Sequence, residues 1–308
     1  MIIAKDLGKT FLTKQSKVEA LKDFTVEIKS GEVVALLGPN GAGKTTTVRL
    51  LSTIYRPTTG GAIVGGYDII TNPIDVRRTI GIAPEQPSLY PRLTARRNLQ
   101  FYGDIYGYDK YKLSGRIEEL LELFDLKEVI DRPVSSFSKG MRQKLSIAKA
   151  LIHNPSILLL DEPWSGLSPH ATKELRQLIK QLAEGNRTIL ISTHNLAQLE
   201  LIVDRILIIS KGSLILDSSP AELRTKFHVN PHLKLKIEGN KELKSIVDDL
   251  DYIVNVESLG NGEYELEIKS FENTPDLVKS LVTSSIRIHE VSEINPSLEE
   301  LYLTLVSE

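Results

Sequence analysis

Cysteine is absent from the 308 residues, and neither sign of charge is in clear excess. The lack of cysteine excludes disulfides, thiol nucleophiles, iron–sulfur clusters and cysteine-based zinc sites. The 38 basic residues are balanced by 40 acidic ones, which leaves a net charge of −2. This balance argues against a protein that coats nucleic acid, because such proteins carry a strong basic excess.

Long apolar runs are also lacking. The best candidate, residues 189–209, is interrupted by His194, Glu200, Asp204 and Arg205, so no membrane span is expected. The first ten residues mix acidic and basic side chains and are not expected to form a secretory signal. The remaining composition, 41% hydrophobic and 25% charged, is that of a globular chain with a sizeable core, and the length favours about two domains.

Short apolar runs alternate with amphipathic helical patterns over the first 220 residues. Runs at 32–37, 156–160, 188–192 and 205–210 have the length of strands buried on both faces. Helical patterns occupy 44–54, 171–184 and 196–203. This alternation predicts an α/β fold with a mostly parallel sheet.

Two regions depart from this alternation. Between about 85 and 155, helical patterns at 95–106, 114–124 and 139–153 predict a helical insertion. After a linker at 221–231, period-two strands at 232–238 and 263–269, helices at 243–250 and 275–282, and a strand at 286–291 predict a small α+β domain over 232–308. A terminal amphipathic helix is predicted at 297–306.

A glycine-rich segment, GPNGAGKT at 38–45, follows the first apolar strand and opens a helix. Glycines let successive backbone N–H groups surround phosphate oxygens, and the helix dipole adds to the attraction. Lys44 is expected to reach the β- and γ-phosphates, and Thr45 to occupy one Mg²⁺ position. The predicted nucleotide-binding residues of this segment are Gly38, Pro39, Asn40, Gly41, Ala42, Gly43, Lys44, Thr45 and Thr46.

An acidic pair, Asp161 and Glu162, stands at the end of a second apolar strand. Core packing explains such a pair poorly, since buried carboxylates are costly without partners. Asp161 is predicted to hold Mg²⁺, and Glu162 to polarise the water that attacks the γ-phosphate. The alternative is that the pair merely caps a helix before Pro163.

Further motifs follow one another in a fixed order along residues 1–220: Phe11 in KTF, the segment GPNGAGKT, Gln86 in APEQ, FSKGM at 137–141, the acidic pair, SGLS at 165–168, and His194. Taken alone, Phe11 could be a core aromatic, Gln86 an ordinary loop residue and His194 a structural histidine, while Trp164 favours packing over ligand binding. Together the motifs resemble the nucleotide-binding subunit of ABC transporters.

The resemblance implies roles for these residues. Phe11 stacks on adenine, Gln86 links the metal and the attacking water to the membrane partner, and His194 is the switch histidine. Ser138 and Gly140 of the signature segment donate to the γ-phosphate of ATP bound to a second subunit. The implied fold adds an antiparallel β subdomain to the parallel sheet.

Three positions depart from the family pattern. The signature is FSKGM rather than LSGGQ, with Lys139 in place of the first glycine; Ser168 stands where aspartate is usual; and Arg97 stands where glutamate is common. The signature variant and the ending PSLEELYL at 296–303 are similar to those of the ABC-2 exporter group, which includes drug- and antibiotic-resistance ATPases.

The resemblance also implies partners. The chain is expected to bind ATP and Mg²⁺, to pair with itself or a paralogue, and to lie at the cytoplasmic face of the membrane through a separate permease, with export favoured and no direct contact with nucleic acid. Three alternatives remain: a soluble ABC ATPase acting on nucleic acid or the ribosome, a P-loop kinase or GTPase, and a regulatory module that holds ATP without hydrolysing it.

Overall fold

The structure is a computed structural model that describes residues 1–12, 16–195, 199, 202–226, 230–238, 243, 247 and 250–294. The chain divides into two units, one comprising Met1–Pro220 and one beginning at Ala221. Among the described residues, no helix combines the length and the apolar character that a membrane crossing requires.

The first unit is built on a six-stranded sheet. Its strands are β3 (Val33–Leu37), β6 (Ile80–Ala83), β7 (Ile157–Asp161), β8 (Thr188–Thr193), β9 (Arg205–Ser210) and β10 (Ser213–Ser218), in the spatial order β10-β9-β3-β8-β7-β6. All neighbours are parallel except β9 and β10. Every residue of β3, β7 and β8 is buried, as their continuous apolar runs require.

A second, antiparallel sheet lies in the same unit. It consists of β1 (Ile2–Leu12), β2 (Lys17–Ile28), β4 (Thr59–Val64) and β5 (Tyr67–Asp68), in the order β2-β1-β4-β5. Apolar residues from β1, β2 and β4 form one core cluster with residues of β3, β9 and α1 (Lys44–Leu51). The predicted combination of a parallel sheet with an antiparallel β subdomain is confirmed.

Helices form the region between β6 and β7. They are α3 (Ala95–Ile105), α4 (Lys110–Leu123) and α5 (Lys139–Ala150), preceded in the chain by α2 (Pro73–Thr79) and followed by α6 (Pro169–Glu184). Side chains at the N-cap begin α3, α5 and α6: Thr94, Ser138 and Ser168 accept from backbone N–H groups of the first turn. No strand occurs at 84–154, as predicted.

The second unit contains a four-stranded antiparallel sheet. Helix α7 (Pro220–Lys226) leads from the first unit, and β11 (His232–Ile237), β12 (Ile253–Gly260), β13 (Glu263–Ile268) and β14 (Ile288–Ile294) follow in the spatial order β12-β13-β11-β14. One face of this sheet packs with α8 (Thr274–Thr283) around Leu277 and Leu281. The α+β prediction for this region is confirmed.

Some predicted bounds differ from the observed ones. The first helix ends at Leu51 rather than at 54, because the left-handed backbone of Thr53 (φ 62°) stops it. Helix α4 begins at Lys110, four residues before the predicted start, because Asp109 caps it through two backbone N–H groups. The helices predicted at 196–203 and 243–250 lie mostly outside the described residues, and the helix predicted at 297–306 lies wholly outside them.

Candidate ATP-hydrolysis site

Four neighbouring strands of the six-stranded sheet end at one edge. The carboxyl ends of β3, β8, β7 and β6 lead to the loop at 38–43, to His194, to Glu162 and to the loop that carries Gln86. Their register places Leu37 beside Thr193, and Asp161 beside Ser192. In open α/β sheets this edge is where ligands bind, so the topology brings the predicted motifs together.

The glycine-rich loop wraps tightly around the start of α1. Gly41 (φ 82°) and Gly43 (φ 114°) adopt left-handed backbone conformations that side chains disfavour. A Cβ at Gly38 would collide with the carbonyl of Ile209 on β9, and the N–H of Gly212 donates to the carbonyl of Ala42 (3.0 Å). The loop is therefore closed against the β9–β10 turn. No acidic residue occupies the first turn of α1, so no carboxylate of that turn weakens the attraction of the helix dipole for an anion.

Lys44 is a buried lysine whose ammonium faces into the loop. Only 6% of the residue is exposed, and Nζ donates to the carbonyls of Gly38 (2.7 Å) and Pro39 (3.2 Å). The same nitrogen lies 3.4 Å from Oε1 of Glu162. A buried cation needs such partners, and these contacts fix the ammonium where phosphate oxygens are expected.

Asp161 and Thr45 place two oxygen ligands side by side. The Thr45 hydroxyl donates to Oδ1 of Asp161 (3.2 Å), which also accepts a short hydrogen bond from the hydroxyl of Ser192. Asp161 is 5% exposed. Hydroxyl and carboxylate oxygens are the ligands that Mg²⁺ prefers, so the pair fits that ion.

Glu162 is held between two cationic or polar groups. Its Oε2 lies 3.0 Å from Nδ1 of His194, while Oε1 faces Lys44. The backbone is left-handed (φ 46°), and the N–H donates to the carbonyl of Ser192 (3.0 Å). Positive φ in a non-glycine residue costs energy and is concentrated at functional sites. Glu162 is 8% exposed, whereas the imidazole of His194 is 54% exposed, so the histidine can meet a ligand from outside.

Two of the cavities at this edge contain residues that are predicted to bind phosphate or Mg²⁺. The larger, ≈ 440 Å³, is lined by glycine-rich-loop residues 40–46 together with Ala20, Glu85, Glu162, Ser165 and His194. The second, ≈ 380 Å³, contains Thr45, Gln86 and Asp161 among its lining residues. The larger cavity therefore brings together the phosphate-binding loop and the carboxylate at which hydrolysis is expected.

Phe11, Ser138 and Gly140 are among the predicted residues that line neither cavity. The ring of Phe11 contacts that of Tyr55 edge to face, with 5.4 Å between centroids. Ser138 is exposed and its hydroxyl accepts from the N–H of Met141 (3.2 Å), while a Cβ at Gly140 would touch Ala171 at 3.4 Å. Within one chain, therefore, the signature segment does not line the cavity that contains the phosphate-binding loop.

The three departures from the family pattern have defined surroundings. The ammonium of Lys139 lies so close to Gly166 that a Cβ there would collide with it. Ser168 caps α6 through the N–H of Ala171 (3.3 Å). Arg97 is exposed in the first turn of α3. Lys139 thus contacts the SGLS loop within the same chain.

Residues that the sequence analysis did not select also belong to this edge. Ser192 holds both Asp161 and the backbone of Glu162, and the Ser165 hydroxyl donates to Glu85 (3.3 Å), which lines both cavities. A serine within the apolar strand TILIS was the available signal for Ser192, because a buried hydroxyl needs a partner. Glu85 stands next to Gln86 and carried no separate signal.

A phosphate-binding loop at a helix N-terminus, a buried lysine and two strand-end carboxylates define a P-loop nucleoside triphosphatase. Residues 21–165 match the family profile described as ABC transporter, and residues 219–306 match that of the ATP-binding protein DrrA1-3-like C-terminal domain. The two profiles fall on the first and second units.

Curated relatives agree with these profiles. The linearmycin resistance ATP-binding protein LnrL of Bacillus subtilis is 32% identical, over 99% of this chain and 98% of its own. The doxorubicin resistance ATP-binding protein DrrA of Mycobacterium tuberculosis is 31% identical, over 100% of this chain and 94% of its own. The ABC transporter ATP-binding protein NatA of Bacillus subtilis is 39% identical, over 70% of this chain and 88% of its own.

Solved structures agree in fold. The dimeric post-hydrolysis structure of the ATP-binding cassette MJ0796 bound to ADP and Pi is matched with a TM-score of 0.66 and 27% identity, over 71% of this chain and 99% of the other. The chain therefore belongs to the family of ABC transporter ATP-binding proteins, and its second unit matches the DrrA1-3-like C-terminal domain. It is the ATPase motor subunit of an ABC transporter. Neither profile supports an ATPase of nucleic acid or the ribosome.

Proposed function

We propose that two copies of this chain, or one copy and a paralogue, hydrolyse ATP between them and thereby drive export through a separate membrane permease. The observation that carries this proposal is the single cavity lined by Lys44, Thr45, Glu162 and His194. A regulatory module that only holds ATP would not need Glu162 and His194 paired at 3.0 Å beside the phosphate-binding lysine.

Thr45 and Asp161 are the residues that would hold Mg²⁺, with Gln86 at the wall of the adjacent cavity. The ion would neutralise charge on the phosphates. Ser192 keeps the Asp161 carboxylate oriented toward Thr45 through its own hydroxyl. The oxygen donors and the burial of Asp161 support this assignment, because the carboxylate otherwise lacks a cation at hydrogen-bonding distance among its described partners.

Glu162 is the proposed general base. It accepts a proton from the attacking water, and His194 orients the carboxylate through Nδ1, which must carry the proton to donate. The ammonium of Lys44 lies beside Oε1 of Glu162 and would bind the phosphates when ATP is present. Positioning and charge stabilisation of this kind supply most of the catalysis in phosphoryl transfer.

A second subunit would complete the site. Ser138 and Gly140 lie away from the cavity of their own chain and are accessible, so they can face ATP held by another chain. MJ0796, a similar cassette, is described as dimeric. In this arrangement Phe11 would stack on adenine, and closure of the dimer would control the rate.

The permease is proposed to bind beside Gln86. The second cavity opens there between apolar Val48, Ile54 and Ile82 and the polar groups of Arg49 and Glu85. Ile54 is 59% exposed, which suits a partner's apolar side chain. Binding there would put the chain at the cytoplasmic face of the membrane. The names of the relatives, which include linearmycin, doxorubicin and bacitracin, support an antibiotic-like cargo.

Lys44→Ala tests the proposed site. We expect ATP affinity, measured by calorimetry on the full chain, to fall at least roughly tenfold, because a buried charge-assisted contact is worth about 1.5–3 kcal/mol. Magnesium-dependent ATPase activity should be lost with it. Lys180→Ala, an exposed lysine of α6, is the matched control and should change neither quantity.

Lys44→Ala also tests whether ATPase activity is coupled to the proposed permease. A membrane protein that co-purifies with the chain should stimulate the ATPase activity of the unmutated chain, and Lys44→Ala should still co-purify without activity. An ATP affinity of Lys44→Ala equal to that of the unmutated chain contradicts the site, and co-purification without stimulation contradicts the coupling.

A further inference from the structure

Lys149 is a buried lysine that the proposed chemistry does not use. It lies in the last turn of α5 and is 8% exposed. Burial lowers the pKa of its ammonium to about 8, and no charged group offsets that burial. Among the described residues its partners are a backbone carbonyl and an aromatic ring, with no carboxylate at ion-pair distance. A buried cation without a counter-ion is costly, so packing alone would favour an apolar side chain here.

The carbonyl that Lys149 contacts belongs to Ser88. Nζ of Lys149 lies 3.4 Å from that oxygen and 5.1 Å from the ring centroid of Tyr102. The hydroxyl of Tyr102 donates to the same carbonyl (2.8 Å). Ser88 follows Gln86 by two residues and lines the same cavity, together with Thr45. Two donors from two helices therefore hold one carbonyl beside the predicted catalytic glutamine.

The rest of the Gln86 loop is attached to other elements. Before Gln86, Glu85 accepts from Ser165 (3.3 Å). After it, the buried amide of Asn98 on α3 accepts from the N–H of Tyr90 (2.8 Å) and donates to its carbonyl (3.1 Å). Lys149 differs from these anchors because it lies on α5, the helix that Ser138 caps.

Helix α5 joins two parts of the proposed mechanism as one rigid body. It is 12 residues long, and a helix rises 1.5 Å per residue, so its ends are separated by roughly 18 Å. Ser138 stands at the end that would meet ATP on the second subunit, and Lys149 stands at the end that holds Ser88. If α5 moves as a rigid helix, a displacement of the signature segment reaches the Gln86 loop through the Lys149 contact.

We infer that Lys149 is a positioning residue, which ties the Ser88 carbonyl to α5 and so sets Gln86 beside Thr45 and Asp161 according to the position of Ser138. This inference rests on the proposed function, in which Gln86 and Ser138 take part in hydrolysis. Lys149 does not touch the nucleotide, and ATP binding to the loop at 38–45 does not depend on it.

Lys149→Met tests the inference with steady-state ATPase assays of the full chain. We expect kcat to fall roughly tenfold or more, because small displacements of a catalytic group cost that much, while KM for ATP changes less than about twofold. Lys149→Arg keeps a cation donor and should recover most of kcat. Lys144→Met, on the same helix but paired with Glu174 (3.0 Å), is the matched control and should retain the unmutated values.

A double mutant separates positioning from a purely structural role. If Lys149 acts through Gln86, then adding Lys149→Met to Gln86→Ala should cost no more than about twofold beyond Gln86→Ala alone. Losses that multiply overturn the inference, as does a Lys149→Met variant with unmutated kcat. Should Lys149→Met fail to fold, Tyr102→Phe removes the second donor to Ser88 and takes its place under the same criteria.

Failure of the proposed function and failure of the inference about Lys149 give different kinetic results. If Gln86→Ala leaves kcat unchanged, the proposed catalytic role of Gln86 is wrong, and the inference falls with it. If Gln86→Ala lowers kcat but Lys149→Met does not, the proposed function stands and the inference alone is overturned.

Discussion

The phosphate-binding loop and the signature segment are two helix N-termini of the same electrostatic kind in very different surroundings. Both α1 and α5 lack acidic residues in the first turn. At the start of α1, however, Lys44 is buried and lies 3.4 Å from the buried Glu162, whereas Ser138 and Lys139 at the start of α5 are exposed. In the proposed mechanism the first end carries the groups for hydrolysis, and the second donates to a phosphate of the nucleotide that another chain binds.

Glu162→Gln is expected to have the largest effect on this comparison. The amide cannot accept a proton from water, so turnover should fall more than roughly a hundredfold, the range of general-base catalysis, while ATP stays bound and a closed dimer accumulates. Single-turnover ATPase assays and size-exclusion chromatography with ATP measure the two effects. Glu184→Gln, at the exposed end of α6, is the control. Steady-state turnover near the unmutated rate would show that Glu162 is not the base.

Mixing two inactive variants tests whether the two ends act in different chains. Lys44→Ala inactivates the loop, and Ser138→Phe blocks the signature segment. In a 1:1 mixture, half of the dimers of a symmetric pair contain both variants, and each has one site built from two intact ends. We expect activity to recover to about a quarter of the unmutated rate. If each variant stays inactive in the mixture, the ends do not complement each other across a homodimer.

The burial of Lys149 should make the stability of the chain depend on pH. The folded pKa of Lys149, about 8, lies below the ordinary value of 10.5, so the unfolded chain binds more protons between these values. Stability should therefore rise as the pH increases from about 8 to 10, because the cost of burying the charge disappears. At 1.36 kcal/mol per pKa unit the gain is at most about 3 kcal/mol.

Urea unfolding of the unmutated chain and of Lys149→Met at several pH values measures this pH dependence of stability. The variant should lack the rise that Lys149 contributes, and Lys144→Met should keep it. Parallel pH profiles for the unmutated chain and Lys149→Met would show that the lysine is not desolvated in solution.

The sequence predicted best those elements whose burial is complete. Strands β3, β7 and β8 are buried at every position, so their apolar runs are unmistakable. Strand β2 alternates irregularly between exposed and buried residues, and β1 is interrupted by register shifts, so neither has a clean period. Strand β4 begins with Thr59-Gly60-Gly61, which favours a turn. These antiparallel strands followed from the family resemblance, not from the residue pattern.

Residues of the candidate site could be predicted where a sequence motif specifies the chemistry. They could not be predicted where only tertiary contacts bring the residues together. Lys44, Thr45, Asp161, Glu162 and His194 meet at one edge because parallel strands end there. The Ser88 carbonyl and its partner Lys149 are 61 residues apart, and a lysine in the amphipathic pattern SIAKAL indicates a solvated position. The pattern carries no sign that the ammonium is buried.

The closure of the phosphate-binding loop by Gly212 has a consequence for synthesis of the chain. The loop at 38–43 is translated some 170 residues before the Gly212 N–H that bonds Ala42 and the Ile209 carbonyl that excludes a side chain at Gly38. Contacts so distant in sequence form late. We therefore expect a nascent chain on the ribosome to display the complete nucleotide-binding motif before the contacts that close it can form, and ATP to stabilise the first unit only once residues 209–212 have been added.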